Sequence, residues 1–144
     1  MSALQAISQI VTPTILVSAS GLLLLGLQNK YARIVDRIRA LRDIERGLKR
    51  HAQESQRNIL KQLKLLLKRA HLLRTAIFCL YVGILFFILA SMAIGLSAWR
   101  FISDAAVIIF FGTALCAMFL GIVHAVLDVQ NSFQIILLEL KRKE

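Results

Sequence analysis

Acidic residues are scarce in this sequence, and charge of either sign is missing from three long stretches. Eight Asp and Glu stand against 18 Lys and Arg, for a formal net charge of +10 over 144 residues. No charged side chain occurs from Met1 to Asn29, from Thr75 to Trp99, or from Ala105 to Leu127. Hydrophobic residues make up 58% of the chain, above the roughly 45–50% of soluble domains, and this argues against a soluble globule. Cysteine is limited to Cys79 and Cys116, both inside apolar runs, where they read as small packing residues rather than a disulfide or metal pair. There is no phosphate-binding glycine loop, no Cys–His cluster and no nucleophile elbow, and His51, His71 and His124 are scattered. These absences point away from an enzyme and imply neither cofactor nor metal. A secretory signal would place basic residues before its apolar core; here the first cation, Lys30, follows the core.

What is present is hydrocarbon-like sequence around one basic segment. Between Lys30 and Arg74 lie 14 of the 18 Lys and Arg, with only Asp36, Asp43, Glu45 and Glu54 to offset them. Lys and Arg flanks are held on the cytoplasmic side of a membrane, so this segment orients the chain. A helix needs about 20 residues to cross a ~30 Å hydrocarbon layer. The runs at 75–99 and 105–127 are therefore long enough to span with some tilt. The run at 1–29 is weaker, because Ser8, Gln9, Thr12, Thr14, Ser18 and Ser20 interrupt it.

The expected fold is an all-α integral membrane protein with three transmembrane helices. The first two extend into a cytoplasmic antiparallel helical hairpin, and a cytoplasmic C-terminal helix follows. Residues 1–29 form the N-terminal segment and first span, expected to start near Pro13, since proline suits a first helical turn. Residues 30–74 form the basic hairpin. Its apolar stripes are Tyr31, Ile34, Ile38, Leu41 and Leu48 on one arm, and Ile59, Leu60, Leu63, Leu66, Leu67 and Leu73 on the other. Gly47 and residues 51–56 mark the turn, with Ser55 or Asn58 as cap of the second arm. Residues 75–128 form a two-span hairpin with an outer loop of about four residues at Trp99, Arg100 and Phe101, where Ser103 caps the third helix. Residues 129–144 continue that helix as the C-terminal tail.

Three sets of residues are candidates for function. On the first helix Thr14, Ser18, Gly21, Leu25 and Gln28 follow a 4-3-4-3 spacing and share one face. Gathered around an axis, such faces would line a narrow polar path with Leu25 as its hydrophobic constriction. The face continues into Arg39, Arg42, Arg46 and Lys49, and the second arm carries Arg57, Lys61, Lys64 and Lys68. These cations form either an anion-attracting vestibule or a contact surface for anionic lipid or a partner. His124 and Asp128 are four apart near the inner end of the third span, a polar pair that can orient the helix or meet Lys30, Arg33 or Arg74. Small residues recur as Ala117, Gly121 and Ala125, and as Ser91 and Gly95, ridges that allow close helix approach.

Two functions follow. The first is a homo-oligomeric, small-ion-conducting pore, anion-preferring, lined by the first helix; three spans cannot enclose an aqueous path alone. The second is a non-conducting membrane scaffold whose basic bundle docks a cytoplasmic protein complex or anionic lipid. Nucleic acid is disfavoured, since the arms carry no interleaved aromatics for base stacking.

The chain also resembles a bacterial domain-of-unknown-function family of small membrane proteins. The matching stretches are residues 24–31 (Leu-Leu-Gly-Leu-Gln-Asn-Lys-Tyr) with the Arg-rich helix behind them, Lys68-Arg69 before the second span, and Asp128-Val129-Gln130. The resemblance implies one span, a charged helical segment, a two-span hairpin and a short helical tail in the bacterial inner membrane. It implies no activity.

The expected topology places the N-terminus outside and the hairpin and C-terminus inside. A cysteine at Ser103 should react with an impermeant maleimide on intact cells, and one at Ser55 only after permeabilisation. Labelling of Ser55 on intact cells would reverse the orientation.

Overall fold

The computed structural model describes residues 3–47, 53–97 and 103–141. Three helices account for nearly all of them: α1 (Ala3–Gly47), α2 (Gln53–Ser97) and α3 (Asp104–Lys141). At about 1.5 Å per residue α1 and α2 are each some 65–70 Å long, about twice the hydrocarbon thickness of a bilayer. Both arms of the expected hairpin are therefore continuous with apolar helix.

The buried positions explain why the helices stay paired over such lengths. On α1 the inward face runs Ser20, Leu24, Leu27, Tyr31, Ile34 and Ile38, spaced 4-3-4-3-4. On α3 Phe111, Ala114, Met118, Gly121, Ala125 and Asp128 are spaced 3-4-3-4-3. A period near 3.5 keeps one seam facing its neighbour along a long pair, as in a left-handed coiled coil. α2 is the middle helix and packs antiparallel against both others. Its partners on α1 build one apolar cluster of Ile34, Ile38, Leu63 and Leu73, with Leu27, Tyr31, Leu66 and Ala70 packed around it. Leu41, expected in the same seam, is half-buried.

The α2–α3 seam is closer, because glycine sits on both sides of it. A Cβ on Gly121 would stand 3.1 Å from the Ala76 carbonyl oxygen and 3.2 Å from Leu80 Cγ. One on Gly83 would stand 3.3 Å from the Ala114 carbonyl oxygen. Small residues let backbones approach where there is no hydrophobic drive between helices. Of the two glycines in the expected small ridges, Gly121 makes such a contact and Gly95 does not. Gly95 meets nothing within 4 Å, and Ser91 bonds its own helix at the Phe87 carbonyl, 2.9 Å away. Higher in the seam Phe87 meets Phe111 edge-on, with ring centroids 5.7 Å apart.

Several expected boundaries move. α1 begins at Ala3 rather than near Pro13, so proline lies within the helix and removes one i→i−4 backbone bond. Such a loss is tolerated in membrane helices, where neighbouring groups re-satisfy the freed carbonyl. α2 begins at Gln53, which places Ser55 and Asn58 inside it rather than at its cap. The expected outer loop at Trp99, Arg100 and Phe101 lies outside the described residues. Ser103 does cap α3: its Oγ accepts from the Ala105 N–H at 3.3 Å, and its carbonyl from the Ala106 N–H at 2.9 Å.

Two stretches, Ile59–Leu96 and Ala105–Gln130, are long and apolar enough to cross a membrane. Only 33% and 11% of their most apolar windows are buried, whereas the core helix of a soluble protein would be mostly covered. The apolar part of α1, interrupted by Thr14, Ser18 and Ser20, does not join them among the described residues.

The seams make a direct test possible. Leu73 is fully buried and Leu67 is 45% exposed on the same helix. Leu73→Ala should cost about 2–5 kcal/mol in unfolding of the detergent-solubilised protein, by lost transfer energy and a cavity. Leu67→Ala should stay within about 0.5 kcal/mol. Equal effects would mean that the α1–α2 cluster does not hold the arms together.

Candidate functional site: a carboxylate shared by three helices

The polar centre of the protein is Asp128. Its side chain is 0% exposed although α3 is largely uncovered around it. Lys30 Nζ of α1 stands 2.6 Å from Oδ2, and the Arg69 Nε–H of α2 donates to Oδ1 at 3.3 Å. The Lys30 contact is an ion pair at hydrogen-bonding distance. One carboxylate thus ties together all three helices. Lys30 is the first charge after the N-terminal apolar run, and Asp128 the first after the last one. Arg69 lies just before the run that starts at Thr75. The clamp therefore stands near the ends of the uncharged runs of all three helices.

A buried carboxylate carries a large desolvation cost that only close counter-charges offset. Here two cations face one anion, and the cluster keeps a net positive charge. Lys30 is the more open of the two, with 34% of its side chain exposed against 21% for Arg69.

The expected partners are rearranged. Lys30 is among the cations that spacing offered to Asp128, and Arg69 was missed in favour of Arg33 and Arg74, both exposed. The signal was available: positions 66, 70 and 73 lie on the inward stripe of α2, and 69 borders it. His124 turns to its own helix, with Nδ1 2.8 Å from the Leu120 carbonyl oxygen. A carbonyl can only accept, so that contact requires the proton on Nδ1.

The face proposed to line a path divides. Thr14, Ser18, Gly21 and Leu25 are all exposed, Leu25 at 56%, away from the packed seam. Ser18 Oγ donates to the Thr14 carbonyl at 3.2 Å, so its hydroxyl is satisfied within α1. Gln28 is half-buried, and its Nε2 donates to Tyr81 Oη of α2 at 2.6 Å. It belongs to the α1–α2 contact rather than to the open face. Leu24, one position from Leu25, is buried at 8%. The buried Ser20 donates to the Leu16 carbonyl at 2.6 Å and lies 3.5 Å from Met118 Sδ.

The basic set is uniform. Arg39, Arg42, Arg46, Arg57, Lys61, Lys64 and Lys68 are all exposed. Arg39 has a loose i,i+3 partner in Asp36 at 3.5 Å, worth little at such exposure. Lys49 lies outside the described residues. No group of His, Cys, Asp and Glu suited to a metal occurs among the described residues.

The clamp predicts an asymmetric mutational pattern. Asp128→Asn leaves two cations facing each other without a counter-charge and should cost about 3–5 kcal/mol in detergent unfolding. Replacing all three residues by leucine should recover most of that loss, because no buried charge remains. A neutral Asp128→Asn would show that the carboxylate is not needed to hold the helices.

No curated protein and no solved structure matches the chain. A family described as "Protein of unknown function (DUF2721)" matches residues 10–138. That span takes in the clamp, both helical seams and the basic hairpin, and the chain belongs to this family.

Proposed function

We propose that the chain is a three-span protein of the bacterial inner membrane, and that its cytoplasmic hairpin is a docking platform for an acidic protein partner. The membrane reading is supported by two long helices whose apolar faces are left uncovered. The N-out, C-in orientation is supported by the basic count between Lys30 and Arg74. No step of chemistry is assigned, and the protein acts by binding.

The observation that carries the platform reading is the full exposure of the basic set on a rigid, clamped hairpin. Its distal cations lie beyond the reach of the protein's own membrane. Arg46 is 16 residues past Lys30, roughly 24 Å along the helix. The Debye length at physiological salt is only about 8 Å, so headgroup charge is screened there. A solvated face needs no partner, but seven exposed cations on two packed arms give a strongly anion-attracting surface.

A homo-oligomeric, anion-preferring pore is the second reading, favoured by the exposed hydroxyl and glycine positions Thr14, Ser18 and Gly21 beside Leu25. Small polar faces of this kind associate helices, and several copies of α1 could enclose a path.

One set of variants separates the two. A photo-cross-linking residue at position 64 should capture a discrete cytoplasmic protein in cells. Combining Arg42→Glu, Arg46→Glu and Lys61→Glu should reduce that capture at least tenfold while membrane insertion is kept. Undiminished capture would remove the acidic-partner reading. Unitary currents from the purified protein in planar bilayers, raised by Leu25→Ser, would establish the pore instead. Gly26→Ser, exposed on another side of α1, is the matched control, because Leu24 is buried and its loss would disturb packing.

A further inference from the structure

α1 and α3 both pack on α2 but touch each other sparingly, and a groove of about 520 Å³ remains between them. Leu22, Leu23 and Gly26 of α1 form one wall and Ile122 and Val126 of α3 the other, with Leu80 of α2 among the lining residues. One charged group lines it: Lys30, at its inner end. From Leu22 to Lys30 the groove runs eight residues, about 12 Å along the helix.

We propose that this groove holds an anionic phospholipid of the inner leaflet, with an acyl chain between α1 and α3 and its phosphate on the Lys30 ammonium. The argument is one of charge and level. Lys30 shares Asp128 with Arg69, so the cluster has one positive charge more than its carboxylate can balance. That excess is presented on the more exposed of the two cations, at the open end of an apolar cleft. In the membrane orientation proposed above, on which this inference rests, the clamp stands where the helices leave hydrocarbon, at headgroup depth. A basic residue between helices at the cytoplasmic interface favours an anionic headgroup over a zwitterionic one. The cavity lies within the roughly 300–1,000 Å³ of small-molecule sites, large enough for part of one chain.

The test uses the full chain in nanodiscs of mixed phosphatidylglycerol and phosphatidylcholine, with co-purifying lipid counted by native mass spectrometry. Wild type should retain phosphatidylglycerol over phosphatidylcholine by at least tenfold. Gly26→Phe is the decisive variant: a Cβ at Gly26 meets nothing within 4 Å, so a ring can fill the groove without disturbing the clamp. It should abolish the preference, as should Lys30→Gln. Arg39→Gln removes an exposed charge elsewhere and should leave the preference unchanged. Equal retention of both lipids by wild type would overturn the proposal. So would undiminished phosphatidylglycerol retention by Gly26→Phe, or a disulfide-linked dimer formed by Leu22→Cys and Val126→Cys introduced together. Protection of the exposed Cys116, midway along the apolar run 105–127, from an impermeant maleimide in the same preparation reports insertion, so a failed membrane reading is told apart from an empty groove.

Discussion

Everything in this protein depends on keeping one carboxylate charged out of water. Asp128 is fully buried on a helix that otherwise exposes most of its surface, and a lone buried carboxylate is not tolerated. Lys30 of α1 and Arg69 of α2 arrive together at it and supply the counter-charge. That requirement fixes the axial register of all three helices at one level. A shift of α3 by one turn, about 5.4 Å, would carry the carboxylate away from both cations. Apolar seams alone do not impose such register, since one leucine substitutes for another along a heptad. The ionic cluster is therefore a device for specificity at least as much as for stability, the role best attested for buried polar groups.

The seams meet that constraint in different ways. The α1–α2 contact between Ile34, Ile38, Leu63 and Leu73 is a branched aliphatic core, which the hydrophobic effect drives in water. The α2–α3 contact depends on Gly83, Gly121, Ala76 and Ala114, where the gain is close backbone approach. The aliphatic cluster straddles the level of the clamp, with Ile38 and Leu63 on its charged side and Leu73 on its apolar side, whereas the glycine contacts lie wholly on the apolar side.

Much of this was legible in the sequence. The three helices, their continuity from apolar to basic segments and the Ser103 cap all follow from periodicity and capping chemistry. Leu63 could be placed in the seam because leucine recurs there at helical spacing. The misses have physical causes. Pro13 suggested a helix start because its missing N–H is harmless there, yet the backbone tolerates it inside α1. Gln28 shares spacing with Thr14 and Ser18, but spacing gives a direction around the helix and not the neighbour met there; Tyr81 lies on another helix. Arg69 and Arg74 are interchangeable to a reader of charge. Only the position of the α2 stripe decides which of them reaches Asp128.

α1 shows how these parts coexist. At about 100° per residue its apolar half divides into three sectors roughly 120° apart. Leu24, Leu27 and Tyr31 face α2, while Leu22, Gly26 and Lys30 line the groove. Thr14, Ser18, Gly21 and Leu25 form the third sector and remain exposed. A lipid in the groove would leave that polar sector clear, so association of copies through it and lipid binding do not compete. The clamp joins the other two, because Lys30 lies on the groove sector and reaches inward to Asp128. Lys30 of the groove sector and Arg69, on the arm that carries Arg57, Lys61, Lys64 and Lys68, thus meet at a single carboxylate.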